Sequence, residues 1–249
     1  MSERISVIIP TYNRKDLVVR CVESVLAQTL QPFEVIVVDD GSSDDTPPML
    51  AARFGEKAKC IRLEHRGLPS IARNAGIDAA QGTHLAFCDS DDVWLPRKLE
   101  VQMSRLREHN CNCSCSDAFI DREGGDRYLS HFKFVGRTLL HDLFRENFII
   151  TSSILLERAV VGSARFNTSA KLRGYEDYDF WLRLARDLQI DYVPEPLLIY
   201  KRHGGGLSHE LKHRDALQQI RILLTNPAFV RHPFIWGENL LRSLYHLAR

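Results

Sequence analysis

The sequence predicts an α/β fold built on a mixed, mainly parallel β-sheet that is flanked by helices. Over the first 95 residues, short apolar runs alternate with segments in which apolar residues recur every three or four positions, as in parallel strands joined by helices. Two of the apolar runs end in aspartate clusters, at the sheet edge where such folds bind ligands. The chain has 249 residues, of which 44% are hydrophobic, so we expect either one large domain or one large domain with a small appendage.

Each element of the N-terminal half has its own signal. The first apolar run ends at Pro10, the second is β-branched and ends before Asp39, and the helix between them repeats apolar residues along one face. The helix predicted over Thr46–Phe54 contains Pro47 and Pro48, which are tolerated only in the first turn of a helix. Gly82 is suited to end the helix predicted over Ser70–Ala80. The predicted elements are strand Ile5–Ile9, helix Lys15–Gln28, strand Phe33–Val38, helix Thr46–Phe54, strand Cys60–Leu63, helix Ser70–Ala80 and strand Thr83–Cys88.

The C-terminal half shows weaker patterns. Residues 120–150 give only a turn at Gly124-Gly125. Residues 211–249 predict C-terminal helices divided at Asn226-Pro227, and six Lys or Arg against two acids give this segment a net charge of +4. We expect it to pack on the main domain, with a basic surface for anionic lipid or a partner as the alternative. The other predicted elements are a helix over 97–109, strand Cys111–Phe119, strand Thr151–Leu156 and helix Glu176–Leu188.

The bulk composition argues against several classes of protein. The formal net charge of +1 does not favour nucleic-acid binding. No run of about 18 apolar residues predicts a membrane-spanning helix, and the first apolar run is too short for a signal peptide, so we expect a cytoplasmic location. The six cysteines include no C-x2-C pair, so we expect buried free thiols rather than a zinc site.

Aspartates follow the second and the fourth predicted strands. Asp39 and Asp40 follow the second, and Asp89, Asp91 and Asp92 follow the fourth, so all five should meet at one cleft. Two carboxylates spaced as in Asp89-x-Asp91 can hold Mg²⁺ or Mn²⁺ beside a diphosphate, where the ion neutralises the charge of a leaving group. Acidic loops at strand ends also serve as turns and caps, so this motif alone leaves both interpretations open.

A series of motifs follows the same order as in a known family. The segments concerned are Val7–Asn13, Val37–Thr46, Gly67–Gly76, Gly82, Phe87–Trp94 and Gly174–Asp179. In these segments the chain resembles the family 2 glycosyltransferases, inverting enzymes with the GT-A fold; the resemblance covers about residues 3–205 and is strongest over 3–100. It implies a GT-A domain over residues 1–210, with a nucleotide-sugar-binding half over 1–100 and an acceptor-binding half over 101–210, and a helical extension over 211–249.

The family pattern implies a role for each matching residue of the N-terminal half. Asp40 would accept a hydrogen bond from the nucleobase, usually uracil, and Arg73 would lie beside the base or the diphosphate. Asp89 would face the ribose or the sugar, and Asp91 would be the principal ligand of Mn²⁺ or Mg²⁺. Turn chemistry for Asp40 and a simple ion pair for Arg73 are the alternatives. The expected donor-binding residues are Pro10, Thr11, Tyr12, Asp39, Asp40, Arg73, Asp89 and Asp91.

The family places its catalytic base in an acidic pair that opens a helix, and Glu176-Asp177 occupies that place here. Asp177 is therefore the expected base, which takes the proton of the attacking hydroxyl, with Asp179 in reserve. The alternative is that these acids only complement the helix dipole. The resemblance also implies that His203 approaches the metal or the diphosphate, on a loop with three consecutive glycines, and that Arg202 assists the phosphates.

The resemblance implies transfer of a sugar from a UDP-sugar to a hydroxyl acceptor with inversion. The expected acceptor is a sugar or a lipid-linked glycan in cell-surface polysaccharide or glycolipid assembly. Peripheral contact at the inner membrane face through residues 211–249 is the alternative to their packing on the main domain. A catalytically inactive sugar-nucleotide-binding or scaffold protein is the alternative of another class, although Asp91 and Asp177 both keep their carboxylates.

Three other enzyme classes fit the sequence less well. A haloacid-dehalogenase-like phosphatase would have its aspartate motif on the first strand, whereas here the motif follows the second. A nucleotidyltransferase would begin with a Gly-rich phosphate loop that bears Arg or Lys, whereas here the first strand is followed by Pro10-Thr11-Tyr12-Asn13. A Rossmann dehydrogenase would show G-x-G-x-x-G after the first strand, and this chain does not.

Overall fold

A computed structural model of the chain describes residues 3–130, 132, 142–143, 146–202 and 222. The strands are β1 (Ile5–Thr11), β2 (Glu34–Asp39), β3 (Lys59–Arg62), β4 (His84–Phe87), β5 (Val93–Trp94), β6 (Cys113–Ile120), β7 (Leu155–Glu157) and β8 (Ile190–Tyr200). The helices are α1 (Lys15–Leu26), α2 (Thr46–Phe54), α3 (Pro69–Ala79), α4 (Lys98–His109), α5 (Arg158–Val161) and α6 (Glu176–Leu184). Short 3₁₀ turns lie at Gly55–Lys57, Thr151–Ser153 and Ala170–Leu172.

The strands form one mixed, eight-stranded sheet in the order β3-β2-β1-β4-β7-β6-β8-β5. β1, β2, β3 and β4 are parallel to one another, as are β6 and β8. β7 runs antiparallel to both β4 and β6, and β5 runs antiparallel to β8. The carboxyl ends of the four parallel N-terminal strands therefore lie at one edge of the sheet, where parallel folds bind their ligands.

Apolar layers cover both faces of the sheet. Because side chains alternate along β1, Ile8 packs into one layer while Val7 and Ile9 pack into the other. The first layer includes buried residues of α3 and α6, and the second includes those of α1 and α4. Gly76 allows α3 to approach the sheet closely, because a Cβ atom at this position would lie only 2.3 Å from Cγ2 of Ile8. The strand–helix alternation of the sequence thus produces a sheet that is buried on both faces.

The structure confirms the predicted fold class but moves several boundaries. Residues 151–156, predicted as one strand, begin with a 3₁₀ turn, and β7 starts only at Leu155. The helix predicted to reach Leu188 ends as α6 at Leu184. β5 and β8 had no predicted counterpart. The helices predicted over residues 211–249 lie outside the described residues, apart from Ile222.

All six cysteines are free thiols. Cys60 is exposed because β3 is an edge strand, and Cys111 is half-buried because it lies just before β6. The prediction of buried thiols is therefore wrong for Cys60 and Cys111, and it is confirmed for Cys21, Cys88, Cys113 and Cys115.

Within the described ranges, no helix has both the length and the apolar character needed to cross a membrane.

Candidate active site

A cleft of about 510 Å³ opens at the carboxyl ends of β1, β2 and β4. Its other wall comes from the C-terminal half, through the segment before β7, the start of α6 and the end of β8. The predicted site residues that line this cleft are Pro10, Thr11, Tyr12, Asp40, Arg73, Asp89, Asp91 and Asp177. The structure therefore brings together residues that are up to 167 positions apart in the sequence.

The loops after β1 and β2 are joined by hydrogen bonds between the two sequence motifs. Asn13 adopts a left-handed conformation with φ 48°, and its Oδ1 accepts a hydrogen bond from the backbone N–H of Ser43 at 2.8 Å. In return, the backbone N–H of Asn13 donates to Oγ of Ser42 at 2.8 Å. Gly41 has φ 74°, and a Cβ atom there would lie 2.8 Å from the backbone nitrogen of His65. The two motifs thus specify the loop conformation on which the cleft is built.

Asp39 and Asp40 are adjacent in sequence but have different surroundings. Asp39 is fully buried, and its carboxylate accepts hydrogen bonds from the backbone N–H and the hydroxyl of Ser42. Asp40 lines the cleft, and its carboxylate oxygens accept the backbone N–H groups of Arg66 at 3.0 Å and Gly67 at 2.8 Å. Asp39 does not line the cleft, so its geometry supports a role in holding the loop, and its predicted contact with the donor stays a prediction.

An aromatic wall lies beside Asp40. The rings of Tyr12 and His65 stack with centroids 4.0 Å apart and planes inclined by 18°. His65 Nδ1 lies 3.0 Å from Oδ2 of Asp40. The hydroxyl of Thr11 is buried at the cleft wall and has no hydrogen-bond partner among the described residues. Flat aromatic surface together with a carboxylate and a free hydroxyl suits a planar heterocycle that carries polar edges.

Asp91 and Asp92 follow β4 and occupy different environments. Asp91 lines the cleft, and its Oδ2 lies 2.6 Å from Nη1 of Arg14. Asp92 is buried, and its Oδ1 accepts the backbone N–H of Lys201 at 3.0 Å. Burial and the charges of Asp89 and Asp91 raise the pKa of Asp92 well above its ordinary value. Asp91 is thus the more accessible acid of this pair, and Asp92 links the loop to the end of β8 by its hydrogen bond.

A divalent cation fits at Asp91. The guanidinium that already lies against this carboxylate shows that the site attracts positive charge. Mg²⁺ is often held by one or two carboxylates together with substrate phosphates, so a single carboxylate at the cleft is compatible with such an ion. In the described part of the chain, no group of three or more His, Cys, Asp or Glu is arranged to hold a metal. His203, the second predicted ligand, lies outside the described residues.

Arg73 joins the two walls of the cleft. Its Nη2 lies 2.7 Å from Oδ1 of Asp89 and its Nη1 lies 3.1 Å from Oε1 of Glu176, while its own side chain is only 6% exposed. Burial lowers the pKa of Arg73, but the charges of Asp89 and Glu176 outweigh it and raise the pKa above its ordinary value. Both ends of the guanidinium are occupied by carboxylates. The predicted contact of Arg73 with the donor therefore stays a prediction, and the ion pairs support a positioning role.

Asp177 lies at the start of α6, where the C-terminal wall meets the cleft. Its Oδ2 accepts hydrogen bonds from Asn147 Nδ2 at 3.3 Å and from Thr151 Oγ1 at 3.2 Å. Burial, followed by the charge of Glu176, raises the pKa of Asp177 to about 6. A carboxylate with a pKa close to neutrality can take a proton from a hydroxyl more effectively than an ordinary aspartate, which is the requirement for a general base.

Three further predicted residues lie away from this chemistry. Asp179, the reserve candidate for the base, is buried and pairs with Arg183 at 2.9 Å, and it does not line the cleft. Trp181 is fully buried in the core, as expected. Arg202 pairs with Asp121 at 3.2 Å. Asp177 is therefore better placed than Asp179 to meet an acceptor.

Arg14, His65 and Thr151 line the cleft but were not predicted from the sequence. Arg14 directly follows the P-T-Y-N motif, and its position next to that motif was the one available signal. His65 lies in the connection between β3 and α3, where no pattern marks it. Thr151 belongs to a segment that was interpreted as a strand. In each case the relevant contact is with residues distant in sequence.

Comparisons with known proteins identify the family of the chain. The sequence model described as "Glycosyl transferase family 2" matches residues 6–166. The chain is 32% identical over 185 residues to the putative teichuronic acid biosynthesis glycosyltransferase TuaG of Bacillus subtilis (strain 168), across 73% of this chain and 72% of that protein. It is 28% identical over 222 residues to the UDP-Glc:alpha-D-GlcNAc-diphosphoundecaprenol beta-1,3-glucosyltransferase WfaP of Escherichia coli, across 89% and 86%. An uncharacterized glycosyltransferase of Rickettsia bellii (strain RML369-C) is 43% identical over 124 residues, but the match spans 49% of this chain and only 18% of that protein.

Solved structures share the fold. S. aureus TarS 1-349 in complex with UDP-GlcNAc matches with a TM-score of 0.74 and 20% identity, over 95% of this chain and 71% of that one. The mannosyltransferase PcManGT from Pyrobaculum calidifontis in complex with GDP-Man and Mn²⁺ matches with a TM-score of 0.69 and 18% identity, over 100% and 75%. These likenesses confirm the GT-A fold class. Because the family match over residues 6–166 covers more than half of the sequence, the chain belongs to glycosyl transferase family 2.

Proposed function

We propose that this chain transfers a sugar from a UDP-sugar to a hydroxyl acceptor with inversion at the anomeric carbon, and that it requires Mn²⁺ or Mg²⁺. The proposal rests on one observation. The cleft is lined by Asp177, whose pKa is raised to about 6, and by seven of the eight residues predicted to bind the donor, all except the buried Asp39. A donor held against the N-terminal wall would therefore face a base on the opposite wall.

In the proposed reaction the acceptor hydroxyl attacks the anomeric carbon from the side opposite the diphosphate. The new carbon–oxygen bond forms while the bond from this carbon to the diphosphate breaks, and UDP leaves with the electron pair. Asp177 takes the hydroxyl proton, a contribution of about 10²–10⁴ in rate for general bases. Asn147 and Thr151, which donate hydrogen bonds to Asp177 Oδ2, hold this carboxylate in place. A divalent cation at Asp91, when bound, would neutralise the charge of the leaving diphosphate.

Uridine is the proposed nucleoside. The stacked rings of Tyr12 and His65 offer a surface for a base, and Asp40 offers an acceptor for a base N–H. WfaP is named for a UDP-Glc donor, and the TarS structure holds UDP-GlcNAc. The PcManGT structure holds GDP-Man, so a guanosine donor is the alternative to be tested.

We also propose a division of the chain into a donor half, an acceptor half and an extension. Residues 1–100 would hold the donor, residues 101–210 the acceptor, and residues 211–249 would form a helical extension. A sugar or lipid-linked glycan is the proposed acceptor. The name of WfaP includes GlcNAc-diphosphoundecaprenol, and the name of TuaG includes teichuronic acid biosynthesis, and both support this proposal. The net charge of +4 on residues 211–249 supports peripheral contact with the inner membrane face.

A thermal-shift screen of UDP-, GDP-, TDP- and CMP-sugars, each with and without Mn²⁺, tests the donor and the metal together. A ligand at about 100 times its dissociation constant adds about 2.7 kcal/mol of stability, which is easily detected. We expect the largest shift with a UDP-sugar, and only when Mn²⁺ is present. Equal shifts with and without Mn²⁺ would contradict the proposed metal, and a larger shift with GDP-sugars would contradict the proposed base.

Substitution of the proposed base tests the reaction itself. Asp177→Asn removes the proton acceptor, so transfer should fall by about 10²-fold or more while donor affinity stays close to wild type. Asp187→Asn is the matched control, because Asp187 is exposed just after α6 and does not line the cleft. Transfer by Asp177→Asn at a rate near that of Asp187→Asn would show that another group is the base.

A further inference from the structure

The ion pair between Arg14 and Asp91 is not used in the proposed reaction. Arg14 begins the segment that leads into α1, and Asp91 follows β4, 77 positions later. Nη1 of Arg14 lies 2.6 Å from Oδ2 of Asp91, and the side chains are 38% and 15% exposed. Both residues line the cleft. An arginine thus holds the carboxylate that, under the proposed function, receives a divalent cation.

A guanidinium and a divalent cation compete for the same carboxylate. Two positive groups on one side chain repel each other, and the repulsion is strong in a partly enclosed cleft where screening by water is reduced. A metal ion that binds Asp91 alone therefore binds against the charge of Arg14, which contacts Oδ2 of this carboxylate, and the repulsion favours displacement of Arg14. The displaced side chain loses its counter-ion unless another anion is at hand.

The diphosphate of a donor supplies that anion. Its oxygens match the forked donor geometry of a guanidinium, which binds phosphate and carboxylate groups in the same way. Arg14 is half-buried and lines the cleft, so its side chain has open space on the side where the donor would bind. Arg73, the other arginine beside these acids, is buried between Asp89 and Glu176 and is therefore far less free to move.

We propose that Arg14 is a placeholder cation, which holds Asp91 until the metal ion and the donor diphosphate bind together and then moves to the diphosphate. The proposal rests on the proposed function, because it requires a metal at Asp91. Its consequence is thermodynamic coupling. Metal alone binds weakly because it displaces Arg14. Metal together with donor binds tightly because Arg14 gains a new partner. By linkage, the metal and the donor each increase the affinity for the other by the same factor.

This role has a different signature from a merely structural one. If Arg14 only held the loop in shape, its removal would leave the affinity of Asp91 for metal unchanged or reduce it. If Arg14 competes with the metal, its removal increases the affinity for metal alone while it decreases the affinity for nucleotide in the presence of metal. Opposite changes in the two affinities are the result to be sought.

The experiment is a titration of Mn²⁺, with the free ion followed by electron paramagnetic resonance, in the absence and presence of UDP. Binding is measured without acceptor, so no turnover is needed. We expect Arg14→Ala to bind Mn²⁺ alone about fivefold more tightly than wild type, and to reduce the mutual strengthening of Mn²⁺ and UDP by about tenfold, within the usual range of coupling between two sites. Arg14→Gln, which is uncharged but closer in length, should behave in the same way.

Arg20→Ala is the matched control, because it removes an equal charge six positions away, at an exposed residue of α1 that does not line the cleft. It should bind Mn²⁺ and UDP like wild type. If UDP does not strengthen Mn²⁺ binding to the wild type, the proposed metal-dependent donor site fails, and the role of Arg14 with it. If the wild type shows coupling but both Arg14 variants bind Mn²⁺ alone no more tightly than wild type, only the role of Arg14 is overturned. Far-ultraviolet circular dichroism of each variant confirms that it is folded.

Discussion

The proton affinity of Asp177 is set by opposing influences from its neighbours. Burial and the charge of Glu176 favour the protonated form, whereas the charge of Arg73 and the backbone N–H of Tyr178 favour the carboxylate. The balance raises the pKa to about 6, between an ordinary aspartate and a histidine. At neutral pH the group is therefore ionised and able to accept a proton, yet more basic than a solvent-exposed carboxylate.

The first prediction concerns the pH dependence of transfer. Because only the ionised form of Asp177 can accept a proton, kcat/KM should be level above the pKa of about 6 and should fall by about tenfold for each pH unit below it. Initial rates measured between about pH 4.5 and 8 would show this inflection. Glu176→Gln removes one cause of the raised pKa, so it should move the inflection to lower pH.

Donor binding provides the control for that profile. The affinity for the UDP-sugar, measured over the same pH range by calorimetry, should change less than kcat/KM, because Asp177 is not expected to contact the nucleotide. The UDP-sugar is used rather than UDP because it has no terminal phosphate that titrates in this range. A parallel fall in the affinity for the UDP-sugar would instead place the titrating group on the donor side of the cleft. An inflection near pH 4 would mean that the base is an ordinary exposed acid.

The motifs predicted which segments form the site, but single residues within a motif have different surroundings that the sequence does not reveal. Asp39 and Asp40 are identical neighbours, yet Asp39 ends β2 with its side chain in the interior while Asp40 lies in the loop beside the cleft. The pairing of Arg14 with Asp91 depends on the arrangement of β1 beside β4. Such contacts are set by sheet order, which local sequence patterns do not specify.

At the level of elements, the N-terminal half was predictable because local and tertiary preferences agree there. Each of β1, β2 and β4 is an apolar run followed by a polar loop, and the sheet buries it on both faces. β8 was missed because Pro194 and Pro196 interrupt the pattern, and its pairing with β6 shifts register twice in this region. β5 has only two residues, too few for a period to be recognised.

Helix α4 contains a buried lysine whose charge is costly. Lys98 is fully buried, its Nζ donates to Oε1 of Gln102 at 2.7 Å, and it lies 4.1 Å from the centroid of the Trp94 ring. Burial lowers the pKa of Lys98 to about 7. The unfolded lysine keeps its proton up to about pH 10.4. Between these two values the unfolded state binds more protons than the folded state, so this residue makes stability rise with pH.

The second prediction follows from this sign. Lys98→Met removes the buried charge. The variant should therefore exceed the wild type in free energy of unfolding by the largest amount at pH 7 and below. The difference should shrink as the pH rises, by up to about 1.4 kcal/mol per unit, because the wild type regains what it loses at low pH. Urea unfolding at several values between about pH 6 and 9 measures the difference. Lys57→Met, at an exposed position, should show no such slope, and a slope shared by both variants would contradict the assignment.

At the scale of the whole molecule, the two halves meet through charge as well as through the sheet. Arg73 on α3 contacts Asp89 after β4 and Glu176 at the start of α6. The same helix start presents Asp177 to the cleft. The carboxylate proposed to face the donor and the helix proposed to supply the base are thus tied to one guanidinium. Loss of this link should affect both stability and the relative position of the two walls.

The third prediction tests the link by its energetics. Arg73→Met leaves Glu176 buried without a counter-charge, and such uncompensated charges typically cost about 3–5 kcal/mol in unfolding free energy. Adding Glu176→Gln removes the buried charge, so the double variant should be more stable than Arg73→Met alone. Asp89, which is 31% exposed, can be hydrated and should contribute less to the loss. Urea unfolding of the wild type, both single variants and the double variant gives the coupling energy directly.

Arg66→Met is the control for the third prediction, because it measures how much unfolding free energy is lost when an exposed arginine is replaced. Arg66 pairs with the exposed Glu64 at 3.4 Å, and exposed pairs contribute about 0–1 kcal/mol, so this variant should unfold almost like the wild type. If Arg73→Met cost no more than Arg66→Met, the guanidinium would not be a structural link, and its two carboxylates would be better explained as groups that await a ligand. If the cost is large and Glu176→Gln offsets it, the position of Asp177 depends on the ion pairs of Arg73, and the donor and acceptor walls behave as one unit.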